Sequence, residues 1–187
     1  MIVKNKDQRV AILVDVQNLY YSARNIYKAR ISFKNLLKVA LAGRVLTRAI
    51  AYVIKSDVSA KESEFFNAVH DAGFEVKEKD LQVFLGGAKK GDWDVGIAMD
   101  AIRLGTKVDS IVIISGDGDF VPVVNYLQQS LGCLVEVVAF DKTCSKALKE
   151  ICDDFIAMES HAKQLLFKTQ RSIKTSAKTS AGRRSTK

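Results

Sequence analysis

The chain has 187 residues, 48% hydrophobic and 27% charged, which fits a globule with room for one core and excludes a low-complexity or fibrous chain. No apolar run approaches the roughly 18 residues of a membrane span, and Met1 to Arg9 lacks the apolar centre of a secretory signal, so the chain reads as cytoplasmic with no membrane partner. The net charge of +8 is carried by residues 161–187, which hold eight Lys and Arg and no acid, leaving a formally neutral body of 21 basic and 21 acidic residues.

Val10 to Asp15 is a short apolar run closed by an acid, and predicts a buried parallel strand. Asn18 to about Leu41 predicts helix, broken near Ile31-Ser32, and Val45 to Ile54 a second strand. Ser59 to Ala72 predicts a helix with Ser59 as N-cap, Glu62 completing a capping box and Gly73 ending it. Phe74 to Phe84 is polar and alternating, as suits a third strand at a sheet edge. After a loop from Gly86 to Gly91, Asp92 is placed to cap a helix from Trp93 to about Leu104. Asp109 to Ser115 is the fourth strand. Asp119 is placed to cap the next helix, with Pro122 in its first turn, where a missing N–H is harmless. Leu134 to Phe140 is the fifth strand, and Ser145 to about Met158 a helix or a helix plus a strand. Strands alternating with helices predict an α/β fold with a parallel sheet covered on both faces. The reading divides the chain into a domain over 9–160 and a basic tail over 161–187, disordered from about Ser172.

Chemistry concentrates where strands pass into helices. Asp15 ends the first strand with Asn18 one turn on, Asp94 follows the Gly-rich loop, and Asp117 and Asp119 follow the fourth strand in Ser115-Gly116-Asp117-Gly118-Asp119-Phe120. If the first and fourth strands are neighbours that wind in opposite directions, Asp15 faces Asp117 across the ligand crevice. Two like charges at about 4 Å repel by roughly 4 kcal/mol at an effective dielectric near 20. A divalent cation offsets that repulsion, and Mg2+ or Mn2+ accepts a few carboxylates plus waters. His70 and His161 lie far apart in sequence, and Cys133, Cys144 and Cys152 lack C-x-x-C spacing. Those cysteines read as reduced thiols, and no histidine-centred site is evident.

Asp15-Val16-Gln17-Asn18-Leu19-Tyr20, Lys90-Gly91-Asp92-Trp93-Asp94-Val95 with Asp100, and Ser115 through Pro122 resemble, in order and spacing, the signature motifs of the NYN nuclease family, nearest to its LabA-like branch. The resemblance covers about Arg9 to Met158. It implies a PIN-like Rossmannoid three-layer sandwich, with a parallel five-stranded sheet in order 3-2-1-4-5 and helices on both faces. It further implies a ribonuclease dependent on Mg2+ or Mn2+, in which Asp15, Asp94, Asp117 and Asp119 are the catalytic metal ligands. Asn18 and Ser115 would hold the carboxylates or a water. Asp100 matches a recurrent family acid, yet six positions after Asp94 it lies about 240° around the helix, away from a metal on the Asp94 face. Val16-Gln17 stands where many relatives carry Gly or Glu, and Gly118 where Ser is common. Both departures touch neighbours of the ligands. Many LabA-like members lack demonstrated catalysis, so the alternative is a non-catalytic regulator that binds RNA or a protein. A phosphatase or DNA nuclease with the same site logic is a third reading.

Blander roles compete at single residues. Asp92, Asp94 and Asp119 each suit a helix start, as cap or dipole charge, and Asn18 and Ser115 suit turns. Lys89 and Lys90 either grip a phosphate or are solvated loop charges. Tyr20, Tyr21 and Tyr27 either stack on bases or pack, and Trp93 is a stacking platform or a helix anchor. The tail, with Arg183 and Arg184, is an RNA-tethering arm or a solubilising end. RNA, single-stranded or structured, is the expected partner, and a homodimer is left open. No G-x-G-x-x-G follows the first strand and no P-loop is present, so a nucleotide cofactor has no cradle.

Overall fold

The computed structural model describes residues 2–55, 60–83 and 89–168. Six strands form the central sheet: β1 (Arg9–Asp15), β2 (Val45–Lys55), β3 (Glu75–Asp80), β4 (Ser110–Ile114), β5 (Leu134–Ala139) and β6 (Asp154–Ala157). Their order is β3-β2-β1-β4-β5-β6, and every neighbouring pair is parallel. The predicted order 3-2-1-4-5 holds, with one strand more than expected. β6 lies in the Ser145–Met158 stretch read as a helix or a helix plus a strand. As an edge strand it pairs only with β5 and stays half-buried, so its apolar signal is short.

Helices α1 (Val16–Ser22), α2 (Phe33–Leu41), α3 (Ala60–Asp71), α4 (Asp94–Gly105), α5 (Val121–Leu131), α6 (Lys146–Ile151) and α7 (Ala162–Leu165) complete the layers. β1 is apolar from Val10 to Val14 because consecutive side chains enter different cores: Val10, Ile12 and Val14 join one, Ala11 and Leu13 the other. Leu19 of α1, Leu36 of α2 and Val69 of α3 complete the first core. Ile97 and Leu104 of α4, Val124 and Leu127 of α5 and Leu148 of α6 complete the second. Near the N-terminal end of the sheet, buried Glu136 accepts from Arg44 Nη2 at 3.0 Å and from Ser110 Oγ at 2.7 Å, and pairs with Lys4 Nζ at 2.7 Å. These partners satisfy a charge that would otherwise be very costly to bury.

Several local expectations are corrected. The stretch from Asn18 to Leu41 is two helices, and the break expected near Ile31-Ser32 lies where Ala29–Ile31 forms a strand. A single π-helical turn, Ala23–Tyr27, follows α1, Lys28 adopts the left-handed conformation (φ 49), and Ala29–Ile31 pairs antiparallel with Leu166–Lys168. Ser32 then caps α2, accepting from Asn35 N at 3.4 Å. A strand partner 130-odd residues away is invisible to local periodicity. The third strand spans only Glu75–Asp80, and Gln82–Val83 turns into a separate ribbon with Lys89–Lys90. Trp93, not Asp92, occupies the N-cap of α4, with no side-chain cap. Asp117, not Asp119, caps the 3-10 turn Gly118–Phe120 that leads into α5, and Pro122 lies in the first turn of α5 as predicted. Gly73 follows α3 with φ 98, a conformation only glycine adopts freely. Ser59 and the side chain of Glu62 lie outside the described residues, as do the side chains of Lys89 and Lys90 and all of residues 169–187 with Arg183 and Arg184.

Candidate functional site

β1 and β4 are hydrogen-bonded neighbours, in register from Val10 with Ser110 to Val14 with Ile114. The chain leaves β1 into α1 on one face and β4 into α5 on the other, which makes their C-terminal ends the switch point of the sheet. Asp15 is the last residue of β1, and Ser115-Gly116-Asp117 follows β4 directly.

The two loops are stitched together there. Asn18 N donates to Asp15 Oδ1 at 3.1 Å, while Asn18 Oδ1 accepts from Gly116 N at 3.1 Å. Buried Ser115 donates through Oγ to Asp15 Oδ2 at 3.3 Å and accepts from Asp117 N at 3.3 Å. Asp119 N donates to Asp117 Oδ1 at 3.0 Å. The Ser115 side chain thus bonds the Asp15 carboxylate, whereas Asn18 bonds it through its backbone N and uses its side chain on the Gly116 backbone, as a turn residue does. Gly116 is fixed by close packing: a Cβ there would stand 3.0 Å from Cys144 Cα and 3.1 Å from Thr143 O, backbone that cannot swing away.

A cleft of about 220 Å3 opens at this point, lined by Asp15, Asn18, Tyr21, Tyr52, Asp94 and Asp117, with Gln17, Ile54, Asp92 and Trp93 completing the wall. Three of the four predicted acids thus come together from three separate segments. Asp119 is exposed on the 3-10 turn and is not part of the lining, although its charge adds to the repulsion at Asp94. Burial pushes the Asp15 carboxyl above its ordinary value, against the hydrogen bonds from Asn18 and Ser115 that favour the charged form. Asp94 is pushed up to about 6, first by burial and then by Asp117, Asp15, Asp92 and Asp119. The strongest influences on these two carboxyls include no cation. Among the described residues no group of three or more His, Cys, Asp or Glu is gathered closely enough to hold a metal ion.

Sequence reasoning did not single out Tyr52, Gln17 or Ile54. Tyr52 pairs in register with Asp15, so the predicted adjacency of the first two strands carried the signal. Asp100 stands apart from the cleft lining, as its position around the helix requires. It is buried and accepts from Tyr52 OH at 2.6 Å, Arg103 Nη2 at 2.8 Å and Lys77 Nζ. Trp93 is an anchor: its Nε1 donates to Val53 O at 2.9 Å, its ring lies 5.4 Å from that of Tyr52, and Lys79 Nζ sits 5.8 Å above it. Tyr27 packs, stacked on Phe140 at 4.8 Å with its hydroxyl on Glu159. Tyr20 and Tyr21 stay exposed. Neither histidine lines the cleft. The three cysteines carry free thiols, each pushed up to about 11 by burial.

A parallel sheet in this order with acids at its switch point defines a PIN-like α/β domain. The comparisons with known proteins agree. The family model of the NYN domain matches residues 9–159. A crystal structure of a protein of unknown function from Vibrio parahaemolyticus, VPA0982, superposes with a TM-score of 0.79 at 34% identity, covering 89% of this chain and 100% of that one. No curated protein matches. The chain belongs to the NYN family, whose fold is that of PIN-like nucleases. The match is to the NYN domain as a whole and distinguishes no branch, LabA-like or other. Among the described residues no helix is long and apolar enough to cross a membrane.

Proposed function

We propose that this chain is a ribonuclease that uses Mg2+ or Mn2+, with Asp15, Asp94 and Asp117 as the carboxylates that hold the ion. The observation that carries this reading is the meeting of three acids from separate segments in one cleft, with Asp94 driven to about 6 by burial and by its acidic neighbours. A fold gains no stability from such an arrangement, and perturbed carboxyls in a cleft mark functional sites. The donor set suits the ion. All three donors are hard oxygens, and Mg2+ binds through one or two carboxylates while keeping several waters. An open, partly hydrated site is consistent with carboxylates that line a cleft without forming a closed cage.

When bound, the ion supplies an activated water and offsets charge on the phosphodiester in hydrolysis. The chain's own residues supply placement. Asn18 N and Ser115 Oγ bond the two oxygens of Asp15, fixing its orientation. Asp119 N does the same for Asp117, which makes Asp119 a support for its neighbour in this reading. Asp94 enters from the first turn of α4 and would hold a cation as a carboxylate. RNA as the polymer follows from family membership.

The test is cleavage of an end-labelled single-stranded RNA by the purified chain, with Mn2+ or with EDTA, beside Asp117→Asn. Metal-dependent cleavage lost in the variant supports the reading; cleavage that survives in Asp117→Asn overturns it. The second reading, a non-catalytic regulator that binds RNA or a protein, is favoured by the lack of a closed three-donor group among the described residues. A folded protein that cleaves no RNA under these conditions moves the assignment there.

A further inference from the structure

Between Asp15 and Asp57 the sequence carries eight Lys and Arg and no acid. Three of these cations are occupied: Arg44 by Glu136, Arg48 by Glu75 and Lys55 by Glu78. The other five, Arg24, Lys28, Arg30, Lys34 and Lys38, are exposed, and none forms an ion pair among the described residues. An ordinary solvated surface mixes its signs. Here one sign is kept over 41 consecutive positions.

The cationic run starts where the cleft ends. α1 begins directly after Asp15 and carries Tyr20 and Tyr21, 43% and 55% exposed, with Tyr21 in the cleft wall. Their rings meet edge to face at 5.8 Å, and Arg24 both donates to Tyr20 OH at 3.0 Å and lies 5.8 Å over its ring. Two large aromatics presented to solvent, braced by a guanidinium, are what base stacking requires and what packing does not explain. The ribbon that pairs Ala29–Ile31 with Leu166–Lys168 sets Phe167 opposite Arg30 and fixes the backbone of this part of the run.

We infer that Tyr20, Tyr21, Arg24, Lys28 and Arg30 form a surface that receives single-stranded RNA and leads it to the carboxylate cleft. The tyrosines stack on unpaired bases, and the cations neutralise the phosphates on the approach to an acidic site. The inference rests on the ribonuclease reading for the identity of the polymer, and its test needs no cleavage.

The measurement is fluorescence anisotropy of a labelled oligouridylate, and of a labelled RNA duplex, with the full chain in EDTA across a salt series. Tyr20→Ala with Tyr21→Ala weakens single-strand binding by roughly tenfold or more and leaves duplex binding little changed. Tyr20→Phe with Tyr21→Phe keeps the rings and restores affinity, which separates stacking from misfolding. Arg24→Gln, Lys28→Gln and Arg30→Gln together flatten the slope of log affinity against log salt by about 2, near 0.7 for each phosphate that is no longer neutralised. Unchanged single-strand binding in both sets of variants overturns the surface, even if the parent cleaves RNA. An equal loss on the duplex overturns the single-strand assignment. Variants that lose binding when no parent cleavage is seen would keep the surface and remove catalysis.

Discussion

Asp94 and Asp100 sit on the same helix and have opposite surroundings. Asp100 is buried, yet the hydrogen bonds from Lys77, Tyr52 and Arg103 outweigh burial and hold its carboxyl at about 2. Asp94 is the less buried of the two and is surrounded by other acids, so burial and repulsion carry it to about 6. The fold has therefore compensated one carboxylate and left the other uncompensated. The compensated one holds structure: Tyr52, fixed by Asp100, lies against Trp93 at the start of α4. The uncompensated one lines the cleft with Asp15 and Asp117.

That contrast can be broken in order of effect. Asp15→Asn leaves the strand intact and removes a charge from the cleft, and metal-dependent RNA cleavage should fall by at least about a hundredfold in initial-rate assays. Asp100→Ala strips the acceptor from Tyr52, Lys77 and Arg103. Urea unfolding should show a loss of about 2 kcal/mol, moderated because Lys77 and Arg103 are half-exposed and can rehydrate. Asp94→Asn should go the other way. It relieves repulsion and stabilises the metal-free protein at pH 7 by about 1 kcal/mol, after discounting for solvent screening, while abolishing the metal response. A thermal melt with and without Mg2+ reads both.

The pH dependence sharpens the same contrast, because the two signs differ. Asp100 has a folded pKa below its unfolded value, so its stabilisation is present above about pH 4 and is lost as pH falls toward 2. Asp94 has a folded pKa above its unfolded value. Its penalty is absent below about pH 4, grows as pH rises through 6, and is fully present at pH 7. The gain from Asp94→Asn should therefore vanish in melts at pH 4. Tyr52→Phe is the smallest change, about 1 kcal/mol for one hydrogen bond.

Much of this was legible in the chain. Val10 to Val14 and Ile111 to Ile114 are apolar without a break because both sheet faces are covered, and that pattern marks central parallel strands without knowledge of a partner. The acids that follow such strands announce a crevice. Capping was less legible: Asp117 rather than Asp119 takes the turn, and Trp93 displaces Asp92, because each cap depends on a backbone angle that residue type alone leaves open.

By itself the sequence determined the α/β class, the family motifs, whose resemblance implied the strand order, and the separation of a neutral body from a basic end. Each follows from local composition or from motif order. Tertiary structure alone decided which acids meet and which is neutralised. It placed Asp119 outside the cleft lining and Asp100 among cations, since Lys77 and Tyr52 reach Asp100 from other strands. It also paired Ala29–Ile31 with Leu166–Lys168 at the far end of the domain. Charge compensation and strand pairing join residues distant in sequence, and no local pattern records them.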